Sequence, residues 1–143
     1  MNEKQKTVYE ALMAAFARFN AADDYLVSCP MWNFGIPYKL KHYIDVLSMP
    51  GSLFGFDPAV GYIGLLKGKR ATIVSTAAIY SPGVPKAFGT DYVTPYLVDW
   101  FNFAGVQDVT SVWYHGSKTF AKPEEAAAAL DKALAAAREA GRK

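Results

Sequence analysis

The spacing of apolar positions along the chain predicts alternating helical and extended segments. Four stretches repeat apolar residues every three or four positions and are predicted helices: 3–19, 38–47, 94–104 and 123–140. Three short, mostly apolar runs between them are predicted strands: 25–29, 70–75 and 106–113. Strands without polar alternation are typical of a parallel sheet covered by helices on both faces. The same spacing predicts that the last helix buries Leu130, Ala133, Leu134 and Ala137.

The segment 52–69 fits neither a helical nor an alternating pattern and is rich in glycine and aromatic residues. Connections of this length without secondary structure are uncommon in compact domains and are usually functional or mobile. The alternative is a small aromatic cluster that packs this segment on its own domain.

Composition narrows the class of protein. The chain has 143 residues, which is room for one domain, and we expect residues 1–143 to form it. A net charge of +2 without a basic block argues against nucleic acid as a partner. We find no signal peptide and no apolar run that spans a bilayer, so we expect no membrane association. The single cysteine, Cys29, fits a reducing compartment, and we expect a cytoplasmic location.

The most informative stretch follows the first predicted strand. Residues 30–37 read Pro-Met-Trp-Asn-Phe-Gly-Ile-Pro and lie between a strand and a helix. In open α/β sheets, ligands bind beyond the carboxyl ends of the strands. A rigid loop with flat side chains and free backbone N–H groups suits a flat ring with polar edges. The sequence therefore predicts a ring-binding loop here, and we expect no metal site.

This stretch resembles the FMN-dependent NADH:quinone oxidoreductases that also reduce azo dyes. The resemblance rests on residues 30–34, 36–37, 40–41, 43–45, 68–71, 91–97 and 103–106, which together cover nearly the whole chain. It implies a flavodoxin-like α/β fold, with a parallel sheet between two helix layers, and a dimer with flavin sites at its interface. It also implies FMN as cofactor, NADH as hydride donor and a quinone or azo compound as acceptor. The sequence does not separate NADH from NADPH.

The resemblance also implies which residues bind the flavin. The implied FMN-binding residues are Met31, Trp32, Asn33, Phe34, Ser75, Thr76, Ala77 and Ala78. The family usually has Ser-x-Gly-Gly at the second group, and alanine both adds a methyl and resists positive φ, so this contact is in question. The implied acceptor pocket is formed by Phe34, Phe56 and Phe103, although the last two can equally be packing aromatics. No catalytic side chain is expected, because the flavin carries the chemistry.

The predicted sheet is smaller than that of the resembled family. A flavodoxin-like sheet has five parallel strands in the order 2-1-3-4-5, whereas the pattern here supplies three. By resemblance these are the last three strands, so we expect a flavodoxin-like domain truncated to them and their helices, without the phosphate-binding loop. Strand 25–29 then lies at an edge, which invites pairing with another chain. We expect a homodimer, or a heteromer with a chain that supplies the missing strands.

Two other functions remain open from the sequence. A relative without the phosphate-binding loop can be a non-catalytic subunit or a module for aromatic ligands, since each lost charge-assisted hydrogen bond costs roughly 1.5–3 kcal/mol. A hydrolase built on Ser75, Ser81 and His115 is the weaker alternative, because no G-x-S-x-G motif is present.

Overall fold

The computed structural model describes residues 1–117 and 122–142. Its elements in chain order are α1 (Glu3–Asn20), β1 (Asp24–Pro30), α2 (Tyr38–Leu47), β2 (Phe54–Asp57), β3 (Gly61–Gly64), β4 (Arg70–Ala77), a 3-10 turn (Lys86–Phe88), α3 (Thr94–Ala104), β5 (Asp108–His115) and α4 (Pro123–Ala140). Every helix and strand predicted from the apolar pattern is present, with ends shifted by at most two residues.

The strands β1, β4 and β5 form a parallel sheet with β4 at its centre. Side chains from α1, α2 and α3 share one buried cluster with one face of this sheet, while α4 contacts β5 and contributes nothing to that cluster. Helices therefore flank a parallel sheet, and the predicted α/β class is confirmed.

The hydrophobic core lies between the first three helices and the sheet. Its largest fully buried side chains include Phe101 and Leu97 of α3, Leu47 of α2 and Ile73 of β4. Full burial of one such side chain contributes roughly 1.5–3 kcal/mol. Because β4 is central and its neighbours run parallel to it, this core holds the carboxyl ends of all three strands at one edge of the sheet.

Within the described residues, β1 is an edge strand with one bare face. Leu26 is 72% exposed, so the prediction that this strand is buried on both faces is wrong. The Asp23 carbonyl accepts from Arg70 N–H, and Met31 N–H donates to the Thr76 carbonyl. The odd-numbered residues of this segment therefore direct their backbone N–H and C=O groups toward β4. Alternate residues of a parallel strand bond in the same direction, so Asp24, Leu26 and Ser28 turn their N–H and C=O groups outward. The predicted unpaired edge is confirmed for the described part of the chain.

The segment 52–69 contains a β-hairpin where the sequence predicted a loop. Strands β2 and β3 pair antiparallel and dock on the end of α3, where Leu66 N–H donates to the Ala104 carbonyl at 2.9 Å. A Cβ on Gly64 would overlap the backbone of Gly105, so this docking requires glycine. The pattern missed the hairpin because each strand has four residues and much of it is exposed.

The prediction that α4 buries one of its faces is also wrong. No residue of this helix is buried, and Leu130 and Leu134 are 43% and 44% exposed. The physical reason is the bare sheet face: α4 packs on β5, and an open groove lined by Leu26, Val74 and Ala137 lies between α4 and β1. Among the described residues, no helix combines the length and apolarity needed to cross a bilayer.

Candidate functional site

The loop after β1 contains a tight two-residue turn, which we call the aromatic turn (residues 32–35). Trp32 N–H donates to the Gly35 carbonyl at 2.9 Å, and Gly35 N–H donates to the Trp32 carbonyl at 3.0 Å. The two central residues, Asn33 and Phe34, have φ of 48° and 69°, the left-handed pair that a type I′ turn requires. Asparagine tolerates this conformation, but in phenylalanine it is strained by about 1–3 kcal/mol.

The aromatic turn leaves two adjacent backbone donors available. Over residues 1–117 and 122–142, the N–H groups of Asn33 and Phe34 donate to no protein acceptor, and both residues are exposed. We call these two N–H groups the donor pair. Successive N–H groups in a turn form a concave site for oxygen ligands. The exposed rings of Trp32 and Phe34 belong to the same turn, so flat surfaces accompany the donors.

The second predicted binding segment, residues 75–78, lies beside the first. Met31 N–H donates to the Thr76 carbonyl at 2.7 Å, and Cys29 pairs in register with Ser75. The structure therefore brings both predicted FMN-binding groups to the same edge of the sheet. Neither Ala77 nor Ala78 has a positive φ, and Ala77 is buried. Ala77 is thus accommodated as the last residue of β4, and Ala78 lies in the bend that follows without a left-handed backbone.

A buried polar pair below this edge was not predicted. Ser75 Oγ and His115 Nε2 share a hydrogen bond at 3.0 Å, and the two residues are 0% and 7% exposed. The ring of Trp113 stacks on His115, and Tyr80 meets it edge-on. Burial lowers the pKa of His115 below its ordinary value, so the imidazole is neutral at neutral pH. The available sequence signal was that both residues lie near the carboxyl ends of neighbouring parallel strands.

This pair does not form a hydrolytic site. Ser75 has no exposed surface, and within the described residues His115 Nδ1 has no hydrogen-bond partner, so no carboxylate orients the ring as a triad requires. The nearby Asp91 carboxylate instead accepts from the N–H groups of Val93 and Thr94 at the start of α3. These contacts argue against the hydrolase alternative.

The remaining polar groups give no sign of nucleophile or metal chemistry. Cys29 is buried, and burial raises the pKa of its thiol, which makes it a poor nucleophile. His42 is exposed on α2. Across the described ranges, no cluster of histidine, cysteine or acidic side chains can hold a metal ion.

The three phenylalanines predicted to form the acceptor pocket lie in two places. Phe103 packs against Phe54, with ring centroids 4.7 Å apart, and both contact Tyr62 of the hairpin. Phe56 also meets Tyr62, and these two side chains are 63% and 66% exposed. Phe34 belongs to the aromatic turn, and in the described part of the chain its ring contacts neither Phe56 nor Phe103.

A parallel sheet flanked by helices, with free donors beyond the carboxyl ends of its strands, defines a doubly wound α/β protein with a ligand site at that edge. The sequence model of the family described as "Flavodoxin-like fold" matches residues 1–140, and the chain belongs to this family. The fold implied by the sequence resemblance is therefore confirmed.

Similar proteins point to one kind of flavoprotein. The chain is 44% identical over 136 residues to an FMN-dependent NADH:quinone oxidoreductase from Ruegeria pomeroyi, covering 95% of this chain and 65% of that protein. It is 38% identical over 144 residues to FMN-dependent NADH:quinone oxidoreductase 2 from Pseudomonas syringae pv. tomato, covering 96% of this chain and 64% of that one. The chain thus spans slightly less than two thirds of the length of these curated relatives.

Solved structures show the same likeness. An FMN-dependent NADH-azoreductase from Bacillus anthracis, crystallised in complex with FMN, superposes with a TM-score of 0.78 at 25% identity. The match covers 96% of this chain and 66% of the azoreductase chain. The recognition of this family from the sequence is confirmed by both kinds of relative.

Proposed function

We propose that this chain supplies the ring-binding portion of an FMN-dependent oxidoreductase that uses NADH to reduce quinones or azo compounds. The observation that carries the proposal is the donor pair of Asn33 and Phe34, which is free and exposed beyond the carboxyl end of β1. The activities of the relatives support the same reaction class. The acceptor is a small, flat aromatic molecule.

The described residues fit the flavin ring. The ring system is flat and carries carbonyl oxygens along its pyrimidine edge, which accept hydrogen bonds from N–H donors such as those of Asn33 and Phe34. The backbone of residues 75–78 lies at the same edge of the sheet, where the Thr76 carbonyl accepts from Met31 N–H just before the aromatic turn. Met31 is partly buried against the core and joins the aromatic turn to it, while Trp32 offers an exposed flat surface.

Bound FMN supplies hydride transfer between NADH and the acceptor. The protein's own residues bind the ring, orient it and exclude water from it, so none of them needs to donate or accept a proton. Phe34 borders the acceptor pocket from the aromatic turn. We assign Phe56 of the hairpin and Phe103 of α3 to the same pocket, which they reach from a second copy of this chain.

The described residues provide no phosphate-binding loop for FMN to match the contacts proposed for its ring. Neither β1 nor β4 is followed by a serine-rich or glycine-rich loop that leads directly into a helix. Each charge-assisted hydrogen bond to a phosphate contributes roughly 1.5–3 kcal/mol, so ring contacts alone give weaker FMN binding. This observation favours a second candidate, a non-catalytic subunit or aromatic-ligand module with weak or no FMN binding.

We further propose that β1 pairs with a strand from another copy or from a partner chain. The outward N–H and C=O groups of Asp24 and Ser28 and the exposed side chain of Leu26 support this pairing, because unpaired apolar edges associate. A homodimer and a heteromer would each provide a strand that pairs with the outward N–H and C=O groups of β1. A cytoplasmic location belongs to the same proposal and is supported by the single, buried, unpaired Cys29.

Purification with and without added FMN tests the proposed function. We expect the protein to take up FMN, to lose its visible flavin absorbance when NADH is added without oxygen, and to regain it with a quinone such as menadione. A protein that binds FMN but is not reduced by NADH would favour the non-catalytic module. A protein that takes up neither FMN nor lumiflavin, which is the same ring without the phosphate, would refute flavin binding altogether.

A further inference from the structure

Phe34 is held in its left-handed conformation by residues far along the chain. Tyr92 N–H donates to the Phe34 carbonyl at 2.9 Å. The Phe34 ring also lies directly against Gly89: a Cβ at residue 89 would overlap the ring, 2.7 Å from its Cδ1 atom. One contact fixes the main chain of Phe34 and the other fixes its side chain. We call Gly89 together with the Tyr92 N–H group the latch.

The latch is needed because a strained residue keeps its conformation only when its surroundings over-determine it. Within the aromatic turn, only the two bonds between Trp32 and Gly35 oppose the relaxation of Phe34 to negative φ. The turn is exposed, so packing from the core adds little to those bonds. The two contacts from the latch supply the further restraint.

Residue 89 must be glycine for two independent reasons. Its φ of 112° and ψ of −176° lie in a region that side chains do not tolerate, and the Phe34 ring occupies the place of a Cβ. The latch is itself anchored on both sides. Gly89 N–H donates to the Lys86 carbonyl to close the 3-10 turn, and the Asp91 carboxylate is bonded to the start of α3.

We propose that Gly89 is a positioning residue for the bound ring: through Phe34, the latch keeps the donor pair formed and facing the ligand before the ligand arrives. The inference rests on the proposed function and names the part of the chain that pre-organises its site. Gly89 has no role in the chemistry and acts only through Phe34. Loss of the latch therefore weakens ring binding, because part of the binding free energy must then re-form the turn.

The variant Gly89→Ala tests the latch, and Gly83→Ala is its matched control. Gly83 also has a positive φ, 88°, but a Cβ there would meet nothing within 4 Å. Both variants strain a glycine backbone in the same connection, and only one disturbs Phe34. In titrations of the full chain with FMN, we expect Gly89→Ala to raise Kd about tenfold or more and Gly83→Ala to change it by less than about twofold.

A double variant separates the ring contact from general strain in the connection. In Phe34→Ala/Gly89→Ala, the new methyl no longer meets a ring, so the effect of Gly89→Ala on Kd should shrink by at least about half relative to its effect in the wild type. Equal effects of Gly89→Ala with and without the Phe34 ring would overturn the proposed contact.

Amide hydrogen exchange without flavin gives an independent readout. We expect the N–H groups of Tyr92 and Gly35 to exchange faster in Gly89→Ala and at the wild-type rate in Gly83→Ala. If the wild type binds no flavin, the proposed function fails while exchange still tests the latch. If the wild type binds FMN and Gly89→Ala changes neither exchange nor Kd, the latch is refuted and the proposed function stands.

Discussion

Replacement of Asn33 tests whether the left-handed turn, and not its side chains, presents the donors. Asn33 is exposed, and across residues 1–117 and 122–142 no hydrogen bond of its side chain is found, so a substitution acts through the backbone. Asn33→Val places a β-branched residue at a φ of 48°, whereas Asn33→Gly keeps this conformation accessible. Both variants retain the N–H group itself.

The magnitude follows from the cost of the left-handed conformation. That cost is about 1–2 kcal/mol for a residue other than glycine or asparagine. In the free protein, Asn33→Val relieves it by opening the exposed turn, which is closed by two hydrogen bonds. Binding must then restore the turn, so Kd for FMN should rise roughly 5- to 30-fold, because each 1.4 kcal/mol is a factor of ten. Asn33→Gly should bind within about threefold of the wild type.

Fluorescence titration with FMN measures the affinity, and thermal unfolding checks that the core is unchanged. Because the turn lies outside the buried cluster, both variants should melt near the wild type. The reasoning is refuted if Asn33→Val binds FMN as the wild type does while the Gly35 amide has lost its protection from exchange. In that case the formed turn would not be what binds the ring.

Three further predictions follow from other parts of the fold. Burial lowers the pKa of His115, so below the ordinary value of 6.5 the unfolded chain binds a proton that the folded chain does not, and stability is retained above that pH and falls below it. His115→Gln should therefore flatten the decline in melting temperature between about pH 7 and pH 5.5, and an unchanged decline would contradict this reasoning. Gly64→Ala should destabilise the protein by about 1–3 kcal/mol in denaturant unfolding, because the added methyl overlaps Gly105. Its control is Gly55→Ala in the same hairpin, where the methyl meets atoms only at 4.0 Å and should cost less than about 1 kcal/mol. Equal losses of stability in the two variants would refute the docking of the hairpin on Gly105. Ser28→Pro removes an outward N–H of β1 and should abolish concentration-dependent association in sedimentation. A wild type that is monomeric at every concentration would contradict edge pairing between copies of this chain.

The spacing of apolar residues was sufficient to predict the helices and strands whose apolar faces are buried. Helix α3 illustrates this, because Leu97 and Phe101 recur at helical spacing and both are completely buried. The edge position of β1 followed from the resemblance, because the family's strand order places the strands that this chain does not supply beside it. The position of the candidate site followed from parallel topology, which brings the segments after Cys29 and Ser75 together.

What the sequence did not reveal depends on contacts between distant segments. The hairpin is stabilised by docking on Gly105, and the latch joins Gly89 to Phe34; neither pairing leaves a local pattern. The hydrogen bond between Ser75 and His115 spans forty positions and required the register of β4 against β5. The exposed leucines of α4 were mispredicted because periodicity reports an apolar face but not whether anything covers it.

A backbone amide NMR titration with lumiflavin tests ring binding at the aromatic turn most directly. Lumiflavin has the flavin ring without the phosphate, for which the described residues provide no binding loop. We predict that the amide signals of Asn33 and Phe34 shift strongly as the ring is added, together with those of residues 76–78, while the amides of α4 remain unchanged. Saturable shifts confined to another surface, or none at the aromatic turn, would contradict flavin binding at this site.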